Sequence, residues 1–175
     1  MSQVEFSRTV RIDTIGTVPR ALQVEADEPE RAALARRFDL PSLDRLQADV
    51  DVSRDAGEII ASGRIQAEVT QRCVVTAEPV SARIDEPFAV RFRPPPAAGS
   101  PEEEIELAEE ELDVMFTDGA LIDVGEAVAQ TLALNLDPYP RAPGAETALQ
   151  EAGVKDEGEA GPFGALAALK EKLGK

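Results

Sequence analysis

Apolar and polar residues alternate along two neighbouring stretches in the first half of the chain, with a turn between them at residues 55–57. The apolar positions of these stretches are Leu46, Ala48, Val50, Val52, Ile59, Ala61, Ile65, Ala67 and Val69. A period of two is typical of strands with one buried face. The pattern therefore predicts a long β-hairpin, and Gly63 in its second strand predicts a bulge or a sharp bend.

Two further regions show the same alternation. A third long strand is predicted from Val80 to Phe92, with Pro87 marking an edge or a bulge. Near the start of the chain, the apolar residues between positions 4 and 12 share one parity, and the stretch ALQVEA at 21–26 looks like a strand returning beside them. LDVMF at 112–116 predicts a short additional strand.

Two helices are indicated by their N-terminal caps. Asp27 precedes a helical stretch and has Glu30 three residues later, which is the capping-box pattern. Asp123 and Glu126 repeat that pattern before a second apolar stretch at helical spacing. Four or five strands with two or three short helices predict an α+β fold, built on a strongly twisted antiparallel sheet or half-barrel.

The remaining segments are of low complexity. We expect residues 1–141 to form a single α+β domain, and its proline- and glutamate-rich stretch, 94–111, to be an acidic mobile linker. Residues 142–161, rich in Gly, Ala and Glu, predict a disordered tether. Residues 162–173 predict a C-terminal amphipathic helix at the end of a flexible tail.

This C-terminal helix supplies the candidate partner-binding residues. Its leucines recur at i, i+3 and i+7, with a phenylalanine on the flank and a lysine beside them. The candidates are Phe163, Leu166, Leu169, Lys170 and Leu173. Docking of the same stripe on the chain's own domain is the alternative.

The net charge of −16 is unevenly distributed. Residues 1–93 carry 13 arginines against 16 acidic residues, whereas residues 94–140 carry 12 acidic residues and neither lysine nor arginine. An acidic segment repels nucleic acid and attracts a basic protein, although a solvated linker would show the same composition.

The inventory of reactive residues is short. Cys73 is the sole cysteine and histidine is absent, which excludes a Cys/His structural zinc site and a Ser-His arrangement. Glycine-rich phosphate motifs are also missing. Asp49 and Asp51 share a strand face, where a wet surface explains them better than a magnesium site. We therefore expect an inert, buried thiol at Cys73, no catalytic residue, no metal, no cofactor and no small-molecule substrate.

Arginines gather in or beside the long strands, at positions 64, 72, 83, 91 and 93. An RNA-binding sheet would place aromatic residues beside them, but Phe88 and Phe92 have the opposite parity to Arg83, Arg91 and Arg93 of the same strand. Cross-strand ion pairs with Asp49, Asp51 and Glu68 are the favoured interpretation.

The chain contains no apolar run of the length that a membrane helix requires, about 18 residues. Its first residues, MSQVEFSRTV, lack the pattern of a secretory signal. With a single cysteine, these features favour a cytoplasmic protein without membrane contact.

Three motifs, in order, resemble the YceD family, whose bacterial members are described as large ribosomal RNA subunit accumulation proteins. VTQRCVVTAEPV is similar to the family's cysteine-bearing link between two long strands. ALIDVGEAVAQTLALNLDPYPR is similar to its Asp-capped helix, and GPFGALAALKEKL to its terminal signature. The likeness spans most of the chain from about residue 60, while the first 60 residues match only in pattern.

The resemblance implies a non-enzymatic factor that supports the synthesis, processing or stability of large-subunit (23S) ribosomal RNA. Its partner would be ribosomal RNA or a basic ribosomal protein. The alternative is an acidic protein-binding module or chaperone for a basic ribosomal protein. Some family members carry a second cysteine three positions after the first, where this chain has Thr76, so a paired-cysteine role is not carried over.

Overall fold

The computed structural model describes residues 5–95, 113–117 and 119–154. The chain is an α+β protein, as the sequence predicts. Its strands are β1 Thr9–Arg11, β2 Arg20–Glu25, β3 Ser42–Asp55, β4 Glu58–Arg72, β5 Pro79–Arg93, β6 Asp113–Phe116 and β7 Leu121–Asp123. Its helices are α1 Glu28–Arg37, α2 Val124–Leu134 and α3 Ala145–Glu151, and a 3-10 turn spans Ile12–Thr14.

The chain divides into two compact units. The first contains Met1–Gln71 and Ser81–Asp137, and the second contains Arg72–Val80 and Pro138–Lys175. The single domain expected over residues 1–141 stays a prediction, because compactness alone does not decide which parts fold independently.

The first unit is built on a five-stranded sheet of order β2-β3-β4-β5-β6. The predicted hairpin is confirmed: β3 and β4 pair antiparallel from Ser42↔Thr70 to Asp55↔Glu58. Ala56 and Gly57 both have positive φ, which is the geometry of a two-residue hairpin turn. The link of six residues between β4 and β5 is too short for a parallel crossover, so this pair is antiparallel as well.

The sheet is mixed, whereas the sequence predicted an antiparallel one. β6 joins β5 in parallel, with Val90↔Asp113 and Arg93↔Phe116 as the ends of the register. β6 lies beside the last four residues of β5 and runs in the same direction, instead of turning back from its end as a hairpin would. Among the described residues the sheet remains open, with β2 and β6 at its edges.

The predicted pairing of the first strand with the strand at 21–26 is wrong. β2 pairs with β3, and β1 pairs with β7 in a separate two-stranded sheet. Asp123, at the end of β7, accepts hydrogen bonds from the Arg8 amide at 2.8 Å and from the Ser7 hydroxyl, which holds the N-terminal segment against α2. Gly125 permits this approach, since a Cβ there would lie 2.8 Å from the Arg8 nitrogen.

Both predicted helix caps are present. Asp27 and Glu30 form the full capping box at α1, and Asp123 accepts a hydrogen bond from the Glu126 amide at α2. The box pattern expected Glu126 to bond back to Asp123. Its carboxylate instead accepts hydrogen bonds from Arg37 at 2.7 and 2.9 Å, which ties α2 to the end of α1.

The core of this unit lies on one face of the sheet. All nine alternating positions named above are buried, and they cluster with residues from α1 and α2. The helical members are Leu34, Ala35, Val124, Ala127, Val128, Ala129 and Leu132. The opposite face of the sheet carries the polar members of the same strands.

Gly63 does not mark a bulge. The ladder is continuous through Val50↔Gly63, and the register shift lies between Leu43 and Arg45. Gly63 is instead a point of close approach, because a Cβ there would lie 2.0 Å from the backbone oxygen of Asp49.

The second unit contains the link between β4 and β5 together with α3. The Val74 amide bonds to the Pro140 oxygen at 2.9 Å, and Ala142 and Ala145 are buried with Cys73. The sequence predicted no regular structure over 142–161, but α3 forms at Ala145–Glu151. Its alanines and glutamates suggested low complexity, yet both are strong helix formers, and burial of Ala145 fixes the helix locally.

Candidate partner-binding surface

The predicted partner-binding residues Phe163, Leu166, Leu169, Lys170 and Leu173 lie outside the described residues, as does the acidic stretch from residue 96 to 111. The partner-binding helix and the mobile acidic linker therefore stay predictions. The described surface offers two other features with functional chemistry: the outer face of the sheet and the surroundings of Cys73.

The outer face of the sheet carries the arginines singled out in the sequence, and carboxylates pair with four of them. Arg83 binds Glu68 at 3.0 Å, and Arg64 binds Asp85. Arg91 and Arg93 both bind Glu58. Of the acidic partners predicted, Glu68 is correct, whereas Asp49 accepts a hydrogen bond from Gln23 at 3.0 Å. The exposed pairs of Arg64 and Arg83 contribute little stability, and three carboxylates offset the charge of the four arginines only in part.

One edge of this face also carries exposed apolar side chains. The β5–β6 register places Val114 beside Arg91 and Phe116 beside Arg93. Paired residues in a ladder share a face. Phe116 is 64% exposed, and its neighbour across the ladder is Arg93, a charged residue. Sequence reasoning found the arginines but missed this aromatic neighbour, because only the parallel register brings it there.

Cys73 is a free and buried thiol, as predicted, with 3% of its surface exposed. Backbone N–H groups surround its sulfur. The Ala142 amide, the Thr76 side chain and amide, and the Val75 amide lower the pKa of the thiol to about 7. The Thr76 nitrogen lies 3.4 Å from the sulfur. Hydrogen bonds that favour the thiolate oppose the burial that disfavours it.

Replacing Cys73 by serine is expected to lower stability modestly, by on the order of 1 kcal/mol at pH 7. The difference should grow with pH. The pKa of the thiol is about 7 in the folded chain against an ordinary value of 9.0, so between these values the folded state binds fewer protons than the unfolded state. The wild-type chain should therefore gain stability over Cys73→Ser from pH 7 to 9.

Urea denaturation of both proteins at about pH 6, 7, 8 and 9 measures that difference, and thiolate absorbance against pH measures the pKa directly. A constant difference between the two midpoints would contradict the proposed thiolate. A folded Cys73→Ser chain without function in cells would contradict the expectation that Cys73 is an inert thiol.

The described residues offer neither a metal site nor a membrane-spanning helix. No group of three or more Cys, Asp and Glu side chains within ranges 5–95, 113–117 and 119–154 is arranged to hold a metal ion. Within those same ranges, no helix has both the length and the apolar character needed to cross a membrane.

These features define an acidic α+β protein with a charge-paired sheet face and a small second unit around a buried thiol. Residues 61–170 match the family model described as "Large ribosomal RNA subunit accumulation protein YceD". The chain belongs to the YceD family. That description supports a role in accumulation of large-subunit ribosomal RNA. No curated protein and no solved structure matches the chain.

Proposed function

We propose that this chain is a non-enzymatic factor that supports the synthesis, processing or stability of 23S ribosomal RNA, and that it acts by binding a basic ribosomal protein. The family match supports the role in ribosomal RNA. One structural observation supports binding to a protein: carboxylates form ion pairs with Arg64, Arg83, Arg91 and Arg93 on the outer sheet face. Phosphate binding requires cationic groups that are available to the nucleic acid.

The charge of the whole chain favours the same kind of partner. At a net charge of −16, long-range forces attract basic proteins and repel RNA. A chaperone for a basic ribosomal protein would affect ribosomal RNA indirectly, since RNA that lacks its proteins is exposed to degradation. We place this activity in the cytoplasm and assign it no cofactor or small-molecule substrate.

A specific observation favours direct RNA contact as the second candidate. Arg91 and Arg93 share the single carboxylate of Glu58, and exposed Phe116 lies beside Arg93. An aromatic ring next to a guanidinium group is the arrangement on which single-stranded bases stack. This patch is the place on the described surface where RNA would bind.

Cells that lack the protein are expected to accumulate less large-subunit than small-subunit ribosomal RNA, and fewer complete large subunits on sucrose gradients. Total RNA profiles and gradients measure both quantities. Unchanged RNA ratios and gradients in the depleted cells would overturn the proposed function.

Affinity purification at increasing salt then separates the two candidates. Recovery of a basic ribosomal protein that survives nuclease treatment supports protein binding. Nuclease-sensitive recovery of 23S RNA, reduced by Phe116→Ser, would support direct RNA contact instead. The exposed position of Phe116 makes this substitution compatible with folding.

A further inference from the structure

β6 is the last strand of the five-stranded sheet within the described residues. Directly after it, the Thr117 amide bonds to the Arg93 oxygen of β5 at 2.9 Å. The backbone groups of successive strand residues point to opposite sides, so the odd-numbered residues of β6 bond to β5. The amides and carbonyls of Val114 and Phe116 therefore point away from the sheet, and an edge of this kind is a template for another strand.

The two edges of the sheet differ in their protection against pairing. β2, at the other edge, exposes the charged side chains of Arg20 and Glu25, and charge on an edge strand opposes pairing. β6 carries a single charge, at Asp113, and its other three residues are apolar. Val114 and Phe116 are 37% and 64% exposed. β6 is therefore the edge that is suited to a partner strand.

The charges on the two sides of β6 restrict which strand can lie beside it. On the outer face, Arg91 and Arg93 share the single carboxylate of Glu58, so cations on that side of an added strand are repelled. On the other side, Asp113 is exposed and lines the groove between β6 and α2, so acidic residues there are repelled. A strand with apolar residues on both sides avoids both repulsions and covers the exposed apolar side chains.

We infer that this strand is β6 of a second copy of the chain, and that two copies join edge to edge as an antiparallel pair. The inference goes beyond the proposed function and does not depend on it. Alignment about Met115 is the register in which Val114 of each copy exchanges both backbone hydrogen bonds with Phe116 of the other. Every outward amide and carbonyl of these two residues is then bonded. Asp113 lies opposite Thr117, so it does not meet a like charge.

The side chains of β6 are self-complementary in this register, which a twofold interface requires. On the outer face, each Val114 lies opposite Phe116 of the other copy, and pairs of an aromatic and a β-branched residue stabilise a sheet. On the groove side, the two Met115 side chains lie opposite each other at the twofold axis. Leu134, which is 71% exposed, lines the same groove and adds apolar surface beside them.

Sedimentation equilibrium of the full chain, from about 1 to about 300 µM, measures the association. The shared edge is short, so we expect a dissociation constant in the micromolar range. A net charge of −16 on each copy opposes the contact, so added salt should tighten the dimer by screening that repulsion. A chain that stays monomeric over the whole range would overturn the inference.

A matched pair of variants locates the contact. Phe116→Lys places a cation on the shared edge, beside Arg93, and Val18→Lys makes the same change in net charge at an apolar residue that is 79% exposed and outside the strands. Phe116→Lys should raise the dissociation constant at least about tenfold and Val18→Lys less than about twofold. Urea midpoints that match the unmodified chain show that both variants fold. Equal effects of the two substitutions would overturn the site.

Val114→Pro tests the backbone pairing. Proline removes an amide that points away from the sheet and leaves the amides that bond to β5 in place, which an edge strand tolerates. We expect this variant to be monomeric at concentrations where the unmodified chain is a dimer, with a similar urea midpoint. A folded variant with unchanged association would show that the copies do not pair through this edge.

Met115→Cys tests the register, in a Cys73→Ser background that has no other thiol. Facing residues at the twofold axis would lie about 4.5 Å apart at their Cα atoms, within disulfide range, so oxidation should link two copies. Val18→Cys in the same background should not link, and equal linkage would overturn the register. Hydrogen exchange at the lowest concentration tests the occupant. A Phe116 amide that is already protected in the monomer would overturn the second copy, because the same chain would then cover its own edge.

Discussion

Replacing Gly63 by alanine is expected to lower the free energy of unfolding by at least about 3 kcal/mol. The added Cβ would lie 2.0 Å from the backbone oxygen of Asp49 and 3.0 Å from the Cα of Val50. Both are backbone atoms in the centre of the β3–β4 ladder, so no side chain can rotate to relieve the contact. β3 and β4 must separate locally, which breaks backbone hydrogen bonds between the two strands around Val50 and Gly63.

Gly16→Ala is the matched control. No heavy atom lies within 4 Å of the Cβ position at Gly16, so the same substitution there should be neutral or slightly stabilising. Urea denaturation of the two variants measures the difference between them. Similar midpoints for Gly63→Ala and Gly16→Ala would show that the ladder accommodates a methyl group and that the close approach has no energetic consequence.

Features that depend on neighbouring residues could be predicted from the sequence. The β3–β4 hairpin follows from an alternating pattern and a two-residue turn, and both helix starts follow from an aspartate. Each of these signals is contained within a few residues, because it reflects side-chain direction or a local hydrogen bond. Gly63 was recognised as special, but its neighbour across the ladder decided between a bulge and a close approach.

The features that escaped prediction depend on distant parts of the chain. The sequence predicts β6 as a strand, but nothing in its four residues indicates that it runs parallel to β5. The parallel register is what places Phe116 beside Arg93. The low pKa of Cys73 depends on the amide of Ala142, far along the sequence. The pairing of β1 with β7 could not be predicted either, because the Asp123 side chain that holds the N-terminal segment there is more than 100 residues away in the sequence. Long-range register has no short-range signal.

The candidate surfaces also include some features that the sequence predicts and others that only the structure shows. Sequence supplied the acidic composition of residues 94–140 and the leucine stripe near the C-terminus. A groove between β6 and α2, lined by Met115, Ala127 and Leu134 among others, needed the structure, because the contact between this strand and this helix is not encoded in either pattern. Leu134 in particular continues the apolar pattern of α2, yet it is exposed at the helix end.

Deleting residues 161–175 is expected to reduce large-subunit ribosomal RNA in cells to the level of a strain without the protein, while the urea midpoint stays unchanged. A helix of about a dozen residues is marginal by itself in water, so its apolar stripe must pack against another surface. In the predicted helix, three leucines, a phenylalanine and three lysines would form a two-faced ligand, which suits a groove on a partner. Ribosomal RNA profiles and urea denaturation of the truncated protein test the two halves of this prediction.

Two point variants test whether the leucine stripe carries the effect. Leu169→Glu introduces a charge on the predicted stripe, and Ala168→Glu introduces the same charge at the adjacent position, which lies about 100° around a helix and off the stripe. Leu169→Glu should reproduce the loss caused by the deletion, and Ala168→Glu should preserve RNA accumulation. Equal losses would assign the effect to charge alone. A large drop in the urea midpoint of the truncated chain would instead mean that the helix packs on its own domain, because only a helix that packs there contributes to the stability of that domain.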